Sequence, residues 1–325
     1  MAINKPVKWL ITGGCGFIGT SLIKNLVNEG GHTIRVLDNL SVGTRDDLGQ
    51  ACNFAEKKMN SESVELIVGD ITDYDICVAA TEETDLIVHL AANTGVGPSV
   101  KNPRGDMSCN VVGTFNMLEA ARHHGVKRFI FASSGAPAGE CEPPIHEELA
   151  PHPVSPYGAS KLAGEGYCSA YHKTFGIETV ALRFGNVYGP GSGHKNSVVA
   201  KFIKQAMNGE ILEIYGDGAQ TRDFIYIDDL IRAIKLAQLT ANIGGETFQI
   251  ATNKETTVSE IVEILVPALN QAGISNVQIK HGKKQVGDVM RNYSDTSKAK
   301  KMLGWECKWL LPNGINKTIM WFTQN

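Results

Sequence analysis

The chain lacks most of what would mark a membrane, secreted or nucleic-acid-binding protein. Acidic and basic side chains nearly cancel, 34 against 31, leaving a formal net charge of -3 at neutral pH. Composition therefore offers no basic surface for nucleic acid or an anionic membrane, and an anionic small ligand would have to be met by local groups. No apolar run is long enough to span a bilayer. Met1 to Trp9 carries two lysines and runs directly into a strand-like segment, without the apolar core and small-residue cleavage site of a signal peptide. The seven cysteines (15, 52, 77, 109, 141, 168 and 307) are scattered, with no Cys-x-x-Cys. That excludes a dense disulfide framework and the usual zinc spacings, so reduced thiols, a cytoplasmic location and no metal are expected. Internal repeats and low-complexity segments are also missing.

What is present reads as an α/β protein. At 325 residues, with 42% hydrophobic side chains and 34 glycines, the chain can bury a substantial core. Val7 to Thr12 is an apolar strand that meets Gly13-Gly14-Cys15-Gly16-Phe17-Ile18-Gly19. A helical pattern follows (Thr20 to Glu29), then a second strand (Thr33 to Leu37) ending on Asp38, 19 residues past Gly19. Strand, glycine turn, helix, strand and acid make the dinucleotide-binding arrangement. The glycines let backbone approach a pyrophosphate at a helix N-terminus, where free N–H groups and the dipole favour negative charge. Asp38 would accept hydrogen bonds from ribose hydroxyls. A carboxylate there repels a 2′-phosphate, so NAD is expected over NADP.

Further strands are expected at Val64 to Ile71, Asp85 to Ala92, Arg128 to Ser134 and Thr179 to Phe184. Helices are expected at Asn53 to Met59, Ser108 to His123 and about 156–174. Asp70, at a strand's C-terminal end, either meets the adenine amino group or is a turn aspartate. Ala91 and Ala92 are small enough for a cofactor to pass, whereas His89 sits in an apolar run and reads as a buried strand residue. Alternation of strands and helices argues a doubly wound parallel sheet of Rossmann type over residues 1–184. Residues 185–325, with helices at Val198 to Asn208, Asp228 to Thr240 and Val258 to Ala272, read as a smaller mixed α/β substrate-binding domain interleaved with it.

Chemistry is expected at Ser155-Pro156-Tyr157-Gly158-Ala159-Ser160-Lys161. Ser155 can cap a helix and Pro156 suits its first turn. Tyr157 and Lys161, four apart, then share one face. An ammonium beside a phenol favours the phenolate and lowers a pKa that would otherwise sit near ~10, which makes a general base for an alcohol. On spacing alone such a pair is commonplace.

Together these residues resemble the extended short-chain dehydrogenase/reductase family, in its sugar-nucleotide epimerase and dehydratase branch. The resemblance covers nearly the whole chain. It rests on the glycine turn, Asp38-Asn39-Leu40, Asp70-Ile71, Leu90-Ala91-Ala92, Asn110-Val111-Val112-Gly113-Thr114, Ser133-Ser134 and the Tyr157/Lys161 helix. Leu182 to Pro190, Ile214 to Gly218, Arg222 to Tyr226 and Ser297-Lys298-Ala299 extend it. It implies that Tyr157 takes the proton of a sugar hydroxyl while C4 gives hydride to NAD, with Ser134 bonding the same hydroxyl. Lys161 would bind the nicotinamide ribose. Gly13, Gly16, Phe17, Ile18, Gly19, Asp38, Asn39, Asp70, Ile71, Leu90, Ala91, Ala92, Asn110 and Phe184 would surround NAD. Asn186, Arg222 and Arg291 would hold the diphosphate of a UDP-sugar or other nucleoside-diphosphate sugar. Tyr215 would lie under the uracil ring or is a buried strand-end tyrosine; Asp295 is a weaker candidate or a helix cap. A homodimer sharing helices near 104–123 and 156–174 is also implied.

The chain departs from the family pattern just after the serines, at Gly135-Ala136-Pro137-Ala138. Family dehydratases carry an Asp-Glu pair where Gly135 and Ala136 stand, and neither of these can transfer a proton. Epimerisation needs no such acids, so C4 epimerisation is the expectation. The alternatives are a dehydratase with acids relocated to Glu140, Cys141, Glu142 or His146, and a non-catalytic nucleotide-binding sensor. Relatives of the sensor kind lose the Tyr/Lys pair that this chain keeps.

Overall fold

A computed structural model describes residues 7–56, 64–283 and 290–324. Seven strands, β1 (Lys8–Thr12), β2 (Thr33–Asp38), β3 (Phe54–Ala55), β4 (Val64–Val68), β5 (Leu86–His89), β6 (Arg128–Ser134) and β7 (Glu178–Phe184), join Glu246–Ile250 in one eight-stranded sheet. The order is Glu246–Ile250, β7, β6, β5, β1, β2, β4, β3. The ladders of β1 with β2 and β5, β2 with β4, β3 with β4, and β5 with β6 are parallel. Every residue of β5 is buried, as are Trp9 to Thr12 of β1. Such continuous burial fits a parallel sheet covered on both faces. The chain leaves β1 in one direction to β2 and β4, then returns to β5 on the other side. That reversal opens a crevice beyond the carboxyl ends of β1 and β5, where ligands of open parallel sheets bind.

The chain divides into two compact units. The first comprises Met1–Gly139, Leu149–Arg183 and Ile231–Phe248; the second comprises Glu140–Glu148, Phe184–Leu230 and Gln249–Asn325. In the first, a core of Leu10, Leu37, Ile87, Leu118, Phe129 and Phe131 lies between sheet and helices. Each such side chain contributes about 1.5–3 kcal/mol by leaving water. The helix Pro156–Phe175 comes so close to β6 that a Cβ on Gly164 would stand 2.4 Å from the Phe131 ring. The second unit pairs Asn186–Tyr188 with Phe224–Tyr226, Leu212–Tyr215 with Ile279–Gly282, and Thr221–Arg222 with Thr256–Thr257. Its buried Asp223 accepts from the backbone of Thr252, Asn253 and Ser294, and Asp229 does the same for Lys308 and Trp309.

Several boundaries differ from the sequence expectation. The helix expected at Asn53 to Met59 lies earlier, at Arg45–Ala51, because Thr44 and Asp47 form a reciprocal capping box. Phe54–Ala55 is strand instead, and residues 57–59 lie outside the described residues. The strands expected to run to Ile71 and Ala92 stop at Val68 and His89, leaving Asp70, Ile71 and Leu90 to Ala92 in the turns beyond. The helix expected from Ser108 begins at Pro103, with Asn102 capping Gly105, and widens into a π turn at Ser108–Val112. The terminal stretch, given no element from the sequence, is a helix, Leu311–Gln324, that buries Ile315, Ile319 and Phe322 on one face. Among the described residues no helix is long and apolar enough to cross a membrane.

Candidate active site

The glycine turn is shaped by backbone contact. Gly13 adopts φ 67°, and a Cβ there would meet the Ala91 nitrogen at 2.8 Å. A Cβ on Gly19 would stand 2.5 Å from the Gly13 oxygen. The helix Phe17–Glu29 starts from Gly16 with no side-chain cap and no acid in its first turn. Phe17 and Ile18 occupy that turn, half-buried. An uncapped helix end behind a wall of glycine is a cradle for an anion, and it fits the pyrophosphate of a dinucleotide.

Asp38 is buried at the end of β2. Its two carboxylate oxygens accept from the Cys15 and Leu40 backbone at 2.9 and 2.8 Å, which aims the group at the turn. Burial raises its pKa, and the two backbone bonds oppose that. Asn39 donates to Asp70 at 2.8 Å, while Thr72 gives Asp70 two more bonds. Burial pulls the Asp70 pKa up, but these bonds outweigh it and hold the carboxyl below its usual range. Ile71 is buried against Gly113, and its carbonyl is taken by Asn116. Leu90, Ala91 and Ala92 follow β5 beside the turn. These groups ring one end of the sheet, and their donor set suits adenosine and ribose.

Ser155 caps the helix Pro156–Phe175 through Gly158, with Pro156 in the first turn, as the sequence implied. The Ser134 side chain lies beside the Tyr157 phenol and pulls its pKa down. Lys161 is buried, donates to the Ala132 carbonyl at 2.8 Å and lies 4.9 Å above the Phe131 ring. Here the structure differs from what the four-residue spacing suggested. Burial raises the Tyr157 phenol, Ser134 lowers it, and the nearby Asp106 charge raises it; Lys161 is directed at β6 instead. The phenol is thus the resting form. Burial also lowers Lys161 to about 8, against the opposing pull of Cys109, Asp106, Glu165 and Cys168. Asn110 is buried, accepts from the Asn93 backbone and donates to Asn93, Asp106 and Ser160, so its amide joins the turn after β5 to the Tyr157 helix.

The remaining sequence candidates lie in the second unit. Phe184 and Asn186 flank Gly185, and the Asn186 backbone pairs with Asp223. Tyr215 ends its strand with the Lys201 ammonium 4.9 Å above its ring. Arg222 donates to the Thr221 carbonyl. Arg291 makes a fork with Glu255 at 2.7 and 2.8 Å and approaches Glu142 at 3.6 Å. Glu140 is exposed, and Ile145 is tied to the backbone of Tyr293 and Asp295. Asp295 accepts from Ser297 at the start of a short helix.

Three positions escaped the sequence reading. A Cβ on Gly43 would stand 2.1 Å from the Cys15 oxygen, so the loop after β2 presses on the glycine turn. Asp106 is buried with one oxygen bonded to Asn110 and the other without a partner among the described residues. Glu165 takes a fork from Arg183. Glu165 alone left a signal, since it stands four residues beyond Lys161.

The model of the NAD dependent epimerase/dehydratase family matches residues 9–251. The UDP-glucose 4-epimerase of Mycolicibacterium smegmatis is 34% identical over 321 residues, covering 97% of this chain and 98% of that protein. Among solved structures, the UDP-glucose 4-epimerase of Thermotoga maritima with UDP-glucose superposes with a TM-score of 0.87 at 33% identity, covering 98% of this chain and 99% of that one. The UDP-glucuronic acid 4-epimerase of Bacillus cereus, in complex with UDP-glucuronic acid and NAD, gives 0.86 at 31% identity, with coverage of 98% and 99%.

Proposed function

The chain belongs to the NAD-dependent epimerase/dehydratase family, and on that footing we propose that it inverts C4 of a UDP-hexose through a transient 4-keto sugar. The observation that carries this reading is the pairing of Tyr157 with Ser134 at the end of β6, followed by Gly135 and Ala136 where a dehydratase needs acids. When bound, NAD would supply a hydride acceptor for C4 and a hydride donor to the opposite face of the turned keto sugar. Gly13, Gly16 and Gly19 with the helix end at Phe17 hold its pyrophosphate, and Asp38 its adenosine ribose. Asn39, Asp70, Ile71, Leu90, Ala91 and Ala92 line its adenine side.

Tyr157 takes the 4-hydroxyl proton and gives it back when the ketone is reduced. Its phenol rests protonated, so ionisation precedes proton transfer. Ser134 favours the phenolate and bonds the sugar oxygen in both its hydroxyl and keto forms. Lys161 supplies positive charge on the same helix face and, with Asn110 and Phe184, meets the nicotinamide end. Balanced over the cycle, one proton and one hydride leave C4 and its oxygen and both return.

The second unit binds the nucleotide, with Asn186, Arg222 and Arg291 on the diphosphate and Tyr215 under the base. Arginine suits phosphate because its fork donates in pairs. The chain acts as a homodimer. Exposed Met107, Val112, Phe115, Tyr167 and Phe175 on the helices around 103–124 and 156–175 support that assembly. The scatter of seven cysteines with no Cys-x-x-Cys supports a reducing, cytoplasmic setting.

Incubation with UDP-glucose, UDP-galactose and their N-acetylated and uronic relatives, followed by NMR of the products, tests the proposal. Gluco/galacto exchange supports it. Loss of water would make the enzyme a dehydratase, and NAD binding without turnover would make it a sensor. Tyr157→Phe should lower turnover at least ~100-fold, the scale of general-base help, with NAD retained. Near-normal turnover would remove Tyr157 from the chemistry.

A further inference from the structure

The last three residues of β6 are laced to the Tyr157 helix at intervals of one turn. Ser134 lies beside Tyr157, the Ala132 carbonyl accepts Lys161 at 2.8 Å, and the Ser133 hydroxyl donates to Glu165 at 2.6 Å. Positions 157, 161 and 165 share a helix face. The first two contacts involve groups that the proposed chemistry uses; the third does not. Glu165 is itself fixed, because Arg183 on β7 donates Nε to Oε1 and Nη2 to Oε2, both at 2.8 Å. Glu165 and Arg183 are 7% and 4% exposed, so the carboxylate cannot turn to solvent. It joins β6, β7 and the helix at one buried point, next to Ser134 in sequence and one turn beyond Lys161.

We propose that Glu165, clamped by Arg183, is a positioning residue: by holding the Ser133 hydroxyl it sets the end of β6 against the helix, so that Ser134 and the Ala132 carbonyl meet Tyr157 and Lys161. This rests on the reading of Tyr157 as the proton acceptor. Coordinate precision is the reason such a clamp matters, since a reacting group displaced by a fraction of its hydrogen-bond length loses most of its effect. Glu165 also places negative charge beside Lys161. The other ionisable groups facing the pair are Asp106 for Tyr157, and Asp106, Cys109, Cys168 and His89 for Lys161.

Ser133→Ala removes the link while leaving the Glu165–Arg183 pair whole. Glu165→Gln with Arg183→Met removes both charges together, so that neither is left buried alone. In the NAD-loaded protein Ser133→Ala should lower kcat about tenfold, the modest end of what small misplacement costs, with KM unchanged. A second readout needs no turnover. Ultraviolet pH titration of each protein, minus its Tyr157→Phe counterpart, isolates the Tyr157 phenolate step. That step should move to higher pH in Ser133→Ala, as the Ser134 contact loosens. Adding Ser133→Ala to the Glu165→Gln/Arg183→Met pair should slow it no further, because both act through one contact. A Tyr157 step left in place, or a kcat loss that only follows the fall in Tm, overturns the proposal. If the charge-pair variant does not fold, Ser133→Ala decides alone. A protein that epimerises no sugar yet shows the shifted step would defeat the functional reading and keep this one.

Discussion

Acid should weaken this protein through His89, and the hydrogen bonds around the imidazole show which form it holds. Thr12 Oγ1 accepts the Ala91 N–H at 3.2 Å, so its own proton points to His89 Nδ1 at 2.8 Å. Thr114 Oγ1 spends its proton on the Asn110 carbonyl at 2.7 Å, so it accepts Nε2–H at 3.1 Å. The ring is therefore neutral and protonated on Nε2. A second proton would face the Thr12 donor in a site 1% exposed. Burial, and then the Lys161 charge, lower the pKa from 6.5 to about 3. The unfolded chain takes the proton first, so stability is complete above pH 6.5 and falls as pH drops toward about 3, by roughly 1.4 kcal/mol per pH unit. By about pH 4 the loss is on the order of 3 kcal/mol, a large share of typical domain stability. Urea unfolding of wild type and His89→Leu at matched pH isolates this effect, because all other carboxyl and imidazole titrations cancel in the difference. At neutral pH the variant should be less stable by about 2 kcal/mol, because the Thr12 hydroxyl proton loses its buried acceptor and Thr114 Oγ1 loses the ring N–H. That gap should shrink on acidification and reverse near about pH 5, where the protonation cost exceeds it. A gap independent of pH would mean that His89 protonates as easily folded as unfolded, and the directional chain would be wrong.

Lys161 gives the same sign in a more alkaline window. Its pKa falls from 10.5 to about 8 on folding, so burial costs about 3 kcal/mol below pH 8, relieved as pH rises through 10.5. Lys161→Met should abolish turnover yet raise Tm at neutral pH, with the gain shrinking in alkaline solution; a lower Tm at neutral pH would refute the cost. Gly19→Ala places a methyl 2.5 Å from the Gly13 oxygen. Overpacking of this kind costs about 1–3 kcal/mol, and the purified variant should have lost its NAD, measured by extraction and absorbance.

Much of the first unit was legible in the sequence, because its signals are local. Gly13, Gly16 and Gly19 were readable from the glycine turn together with its flanking strands and the acid in register, since a turn that tight excludes side chains. Asp38 followed from its register behind the turn. Ser155 and Pro156 announced the Tyr157 helix because caps and first-turn preferences depend on a handful of adjacent backbone groups. The early helix at Arg45–Ala51 was legible too, in Thr44 and Asp47, but the polar run around it hid the box.

What only the tertiary structure decided involves partners far apart in the chain. Lys161 looked like the neighbour of the Tyr157 phenol, yet burial and a carbonyl on β6 claim its ammonium. Arg291 and Glu255, 36 residues apart, give no shared pattern until two segments of the second unit fold together. The same holds for Ser133, Glu165 and Arg183, which come from a strand, a helix and the next strand. A spacing rule can say which side chains leave one element on one face. It cannot say which buried charge or hydroxyl arrives opposite them, because that is set by how the sheet is ordered.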